Sequence, residues 1–187
     1  MSRQESRFNP LTPEQMTADQ TRLAAEIAGG PRGSVTLPFQ ALIQAPDIAT
    51  HAHRLGEVVR YKISIPEKLR ELAILVTARH WTAQYEWYAH RKLAQRAGLA
   101  DAIIDAIALR RRPHFDNDDE RLIHDFATAV TERHKVSDEL YNATVARFGV
   151  PGVVELIGLL GYYGLISMTL NIFEVAIPGG EAPPLKD

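Results

Sequence analysis

The 187-residue chain is 45% apolar and 24% charged, with a formal net charge of −2, which is ordinary for a globular protein large enough to bury a core. That balance excludes a general electrostatic pull toward nucleic acid or an anionic membrane, and the run Arg110-Arg111-Arg112 is short and sits at a helix end. The chain has no cysteine, so disulfides, thiolate nucleophiles, CxxC redox chemistry and cysteine-ligated metals are excluded, and the composition fits a cytoplasmic protein.

The opening stretch MSRQESRFNPLTPEQ has no apolar run of the secretory kind. Thr12-Pro13-Glu14-Gln15 has the form of a capping box with proline at the first helical position. It predicts a helix running to Gly29-Gly30, so residues 1–30 read as an N-terminal helical extension. GGPRGSV is a turn-rich break that opens the main domain, residues 31–178. A short helix is expected near Pro38–Gln44 and a longer one from Pro46 through Tyr61. Ser64-Ile65-Pro66-Glu67 has the form of a second capping box. It precedes apolar residues at Leu69, Leu72, Ala73 and Val76, which is helical spacing.

His80-Trp81-Thr82 reads as a break, with Thr82 as the next N-cap. The helix that follows carries YEWYAH and ends at Ala97-Gly98. Residues 100–110 form another short helix. The acidic end of RRPHFDNDD leads into a helix over Asp119–His134. Ser137-Asp138 starts a helix that stops at Gly149, and Pro151 opens a last, apolar helix ended by Pro178-Gly179-Gly180. Residues 179–187 read as a loose tail. No stretch alternates with period two, so the class is all-α.

From Leu156 to Phe173 no residue is charged, and this length is the low end of a membrane span. The stretch contains three glycines and several polar residues, and Glu155 and Glu174 close it without a basic flank. It reads as a buried core or subunit-interface helix, with no membrane and no nucleic-acid partner expected.

On the YEWYAH helix, Ala83, Glu86 and His90 share one face. Glu71 lies about four turns earlier on the same angular side, so a bend at 80–82 would let it converge on His90. A histidine beside carboxylates can take or give a proton near neutrality. The plainer reading is an exposed Glu–His pair worth a few tenths of a kcal/mol. The same three residues are conceivable metal ligands, but no HExxH or ExxH motif accompanies them, and neither metal nor cofactor is expected. His51 and His53 lie on opposite helix faces, and His80, His114, His124 and His134 read as surface or packing residues. Tyr162, Tyr163 and Asn171 are polar groups on an apolar helix that need partners if buried. Arg79 is a candidate partner for a substrate carboxylate or for a surface acid.

RELAILVTARHWTAQYEWYAHRKLAQRAGL and ELIGLLGYYGLISMTLNIFEVAIP together resemble the carboxymuconolactone decarboxylase family, in the alkylhydroperoxidase D-like superfamily, over roughly residues 35 to 178. The resemblance implies an all-α helical bundle that forms a homo-oligomer: a dimer, trimer or hexamer. In the peroxidase branch a Glu, a CxxC pair and a His form a relay; by spacing these positions are Glu71, Ala83, Glu86 and His90. Without sulfur at 83 and 86, dithiol peroxide reduction is chemically closed to this chain. The decarboxylase branch also lacks the cysteines, and implies a cofactor-independent lyase acting on a small carboxylated lactone or ring acid. Glu71, Glu86 and His90 are then the catalytic residues, with Tyr85, Arg79, Tyr162 and Asn171 as substrate-binding candidates and Tyr85, Trp87 and Tyr88 as an aromatic wall. The alternative is a non-catalytic oligomeric member of the same fold.

Overall fold

The computed structural model describes residue 7 and residues 9–186, and among these the chain forms eight α-helices and no strand. Residues 1–6 and 8 of the expected extension and residue 187 of the expected tail lie outside the described residues. In chain order the helices are α1 (Ala18–Gly29), α2 (Leu37–Leu42), α3 (Pro46–Tyr61), α4 (Glu67–His80), α5 (Gln84–Arg96), α6 (Asp101–Ala108), α7 (Asp118–Thr128) and α8 (Asp138–Ile172).

Helix α4 is the centre of the packing. From Glu71 to Arg79 every residue is buried, as a helix apolar on most sides requires. It packs against α5, α6, α7 and α8. Trp87, Leu72, Leu75, Ile104, Ile123 and Leu156 fill the space between these helices and are almost fully enclosed. A second apolar cluster joins α1, α2 and α3 through Leu23, Ile27, Phe39, Ile43 and Ala49, and Gln20 Nε2 donates to the Ile43 carbonyl at 3.1 Å. The described part of the N-terminal extension is thus packed onto the main domain.

Several helix ends depart from expectation. The Thr12 capping box forms but closes only a single 3₁₀ turn, Pro13–Gln15. A second box, Thr17 with Gln20, opens α1. Ser64 does not cap α4: its N–H and hydroxyl both donate to Glu155 Oε2 of α8, at 2.9 and 2.6 Å. Thr82 has a left-handed backbone, φ 46°, and its hydroxyl accepts from Arg79 and Arg110, so Ala83 takes the N-cap position of α5. Helix α7 gives way to a π turn over Ala129–Arg133, and His134 ends it with φ 58°.

Helix α8 bends at Gly149, whose φ of 72° lies outside the helical range; glycine takes that conformation without a side-chain clash. The helix ends at Ile172, short of Pro178. Glu174 turns left-handed there, and Val175 N–H closes on the Leu170 carbonyl at 3.0 Å. By length and composition α8 could cross a membrane, but most of its apolar window is buried inside the fold. The C-terminal segment is docked rather than loose: Leu185 is 4% exposed, and its N–H and carbonyl bond to the side chain of Gln84.

Candidate active site

The corner at residues 81–83 folds α5 back along α4. Ala83 N–H closes on the Ala78 carbonyl at 2.8 Å, and Asn171 Nδ2 of α8 donates to the Trp81 carbonyl at 2.7 Å. This reversal brings residue 90 against residue 71. His90 Nδ1 lies 2.6 Å from Glu71 Oε2, and His90 Nε2 lies 3.0 Å from Glu86 Oε1. The three residues are 2%, 5% and 4% exposed, respectively. Both ring nitrogens therefore face carboxylates out of bulk water.

Burial alone would disfavour a charged imidazole. The two carboxylates outweigh it by charge attraction and hydrogen bonding, and His90 is pushed up to about 9. At neutral pH the line Glu71–His90–Glu86 holds its proton on the imidazolium, with both N–H groups donating. Tyr163 stacks edge-on against His90, ring centroids 4.9 Å apart, and Tyr162 stands edge-on to Tyr163 at 5.2 Å. Burial raises the phenol of Tyr163 well above its ordinary value and that of Tyr162 to about 12, so both rings are neutral.

Glu86 and His90 line a cavity of about 160 Å³, while Glu71 stands behind His90, outside the lining. Tyr85 and Tyr162 are in the wall. Trp87 is in the central core instead. Tyr88 points to the surface, with its hydroxyl donating to Glu181 Oε1 at 3.2 Å and Lys92 over its ring.

Two of the expected binding residues lie elsewhere. Arg79 donates to Thr82 Oγ1 and to the Lys186 carbonyl, and borders a different cavity of about 210 Å³ near His80, Arg111 and His124. Asn171 is exposed and holds the α4–α5 corner. The arginines that do line the site cavity are Arg32 and Arg60, which sequence reasoning missed. Arg60 carried a readable signal: with Ala49, His53 and Gly56 it falls at 4-3-4 spacing on the buried face of α3. Arg32 lies in the GGPRGSV turn, where no periodicity reports direction.

No protein-family model matches the sequence, and no curated protein matches it. Among solved structures, the chain is similar to an uncharacterized peroxidase-related protein from Ralstonia eutropha JMP134, described as an alkylhydroperoxidase AhpD core. The TM-score is 0.75 and the identity 15%, with 97% of this chain and 100% of that chain covered. The chain has the alkylhydroperoxidase D-like fold.

Proposed function

We propose that the protein is a cofactor-independent acid/base enzyme, a carboxymuconolactone decarboxylase-like lyase acting on a small carboxylated lactone or ring acid. The observation that carries this reading is the buried Glu71–His90–Glu86 line ending on the wall of a cavity. Perturbed, coupled titratable groups in a cleft are the usual mark of proton chemistry.

In the proposed reaction the substrate's carbon–carboxylate bond breaks and carbon dioxide leaves. The electron pair passes into the unsaturated ring and its carbonyl. A proton from His90, delivered directly or through Glu86, then forms the new C–H bond, and solvent restores the proton to the site. Glu71 does not face the cavity; it is a positioning residue that keeps the imidazole oriented and charged. The ring sits against Tyr85 and Tyr162. Dithiol peroxide reduction is unavailable to this chain, because Ala83 and Glu86 occupy the positions of the sulfur pair and there is no cysteine.

The protein is proposed to act in the cytoplasm as a homo-oligomer. The support for assembly is an exposed apolar stripe on α8 (Val150, Val154, Ile157, Met168 and Ile172) beside exposed Leu55 and Val58 of α3. Sedimentation of the purified protein tests it; a monomer at all concentrations contradicts it. The stripe also suits a purely structural oligomer with no chemistry, the second reading. Carbon dioxide release from a panel of carboxylated lactones and ring acids separates the two. The enzyme reading expects turnover that falls by about 10²-fold or more in His90→Gln and Glu86→Gln variants that remain folded. Turnover that ignores both substitutions overturns it.

A further inference from the structure

Arg60 of α3 borders the cavity beside Glu86 and His90. Among the described residues it makes no ion pair or hydrogen bond; the face of Tyr61 lies 5.5 Å from the guanidinium carbon, and the charges of Glu71 and Glu86 act on it from a longer distance. Arg32 reaches the same cavity from the opposite loop. Its guanidinium lies 4.6 Å over the Phe39 ring, and Nη2 donates to Tyr162 Oη at 3.0 Å. Its Nε is buried without a hydrogen-bond partner, and a buried donor left unpaired is costly.

The fold makes room for this arrangement. A Cβ on Gly56 would stand 2.3 Å from Tyr162 Oη and 2.5 Å from Arg32 Nη2. Only a residue without a side chain lets the Arg32–Tyr162 pair lie against α3. With His90 protonated, the charged residues of the lining, together with Glu71 behind them, leave one positive charge unbalanced. One carboxylate neutralises it, and guanidinium groups suit that ion by geometry and weak hydration. A cavity of about 160 Å³ is close to the ~150 Å³ that admits a benzene ring.

We propose that Arg32 and Arg60 form the carboxylate-binding end of this cavity, and that its ligand is a one-ring organic acid with one carboxylate that docks on the guanidiniums and stays on the product, while the ring carbon that reacts faces Glu86 and His90. This deepens the acid/base reading of the same site and rests on it for the identity of the reacting end. The Arg32–Tyr162 pair sets the position of one guanidinium, and Arg60 supplies a second one whose N–H groups have no hydrogen-bond acceptor among the described residues.

The test is calorimetric titration of the full-length protein with benzoate and with benzamide, its neutral counterpart. Benzoate is expected to bind, and benzamide to bind at least about tenfold more weakly. Arg60→Gln and Arg32→Gln should each weaken benzoate by about tenfold or more, with Arg60→Lys in between because it keeps charge but loses the planar fork. Tyr162→Phe, which keeps the ring and releases Arg32, should weaken benzoate by a smaller factor and guards against a misfolded arginine variant.

No benzoate binding to folded wild-type protein up to about 10 mM, or equal affinity for acid and amide, overturns the proposal. So does benzoate affinity that ignores both arginines. If no ring acid is turned over yet benzoate binding depends on Arg32 and Arg60, the carboxylate site stands and the lyase reading falls. If a ring acid is turned over with kcat/KM unchanged in Arg60→Gln and Arg32→Gln, the lyase reading stands and the carboxylate site falls.

Discussion

His90 and His53 invite comparison. Each is buried, and each sits four residues from a glutamate on its own helix: Glu86 on α5, Glu57 on α3. Their proton affinities are pushed in opposite directions. Burial lowers His53, and Glu57, 3.5 Å from Nε2, does not offset it; Arg32 nearby adds to the lowering. His53 Nδ1 is buried without a hydrogen-bond partner, and the ring rests edge-on to Phe39. His90 suffers heavier desolvation, yet it is raised, because a second carboxylate arrives from α4. A glutamate one turn away is therefore not enough to hold an imidazolium in this fold. The carboxylate supplied by the neighbouring helix decides the sign.

The largest expected difference is in stability. His90→Ala leaves Glu71 and Glu86 buried without their counter-charge and should cost about 3–5 kcal/mol in urea unfolding. His53→Leu removes an already under-bonded imidazole and should stay within about 1 kcal/mol of wild type. Similar losses in the two variants would break the comparison.

The pH dependence should separate the same two residues. His90 binds its proton more tightly folded than unfolded, so its contribution is fully present below about pH 6.5 and disappears as pH rises through about 9. Across that window the loss should be about 3 kcal/mol. His53 behaves oppositely: its folded affinity is lowered, so it removes stability as pH falls below about 6.5. His53→Leu should therefore flatten the acid side of the stability profile and leave the alkaline side unchanged.

Two smaller effects sharpen the account. Glu71→Gln, which leaves Glu86 in place, should cost about 1.5–3 kcal/mol through loss of a charge-assisted hydrogen bond and move the alkaline limb toward neutral pH. Gly56→Ala should cost about 1–3 kcal/mol by overpacking against Tyr162 and Arg32. Unchanged unfolding of Gly56→Ala would show that the Arg32–Tyr162 pair moves aside without penalty.

Much of this fold was legible in the sequence, because helix boundaries here are written in local chemistry. Pro46 and Tyr61 bound α3 as expected, Ser137 caps α8, and Gly98, with φ 85°, follows α5. One cap failed because its side chain was taken by a distant partner, Ser64 by Glu155, which local spacing cannot report. The same limit applies at the site. Glu71, Glu86 and His90 were readable from helical spacing and family resemblance. Arg79 and Asn171 were chosen for their chemical type and lie outside the cavity, in contact with the α4–α5 corner. Arg60 sits on an amphipathic face where an arginine is out of place, and that was a usable signal. Arg32 reaches the cavity only because a turn closes over Gly56, a tertiary fact with no trace in periodicity.

The most direct test is nuclear magnetic resonance titration of histidine-labelled protein, following both ring nitrogens of His90. Both should remain protonated through neutral pH, with deprotonation near pH 9 and a clear downward shift in Glu71→Gln. A His90 that loses its proton near or below 6.5, as His53 is expected to do, would contradict the coupled three-residue line on which the proposed chemistry depends.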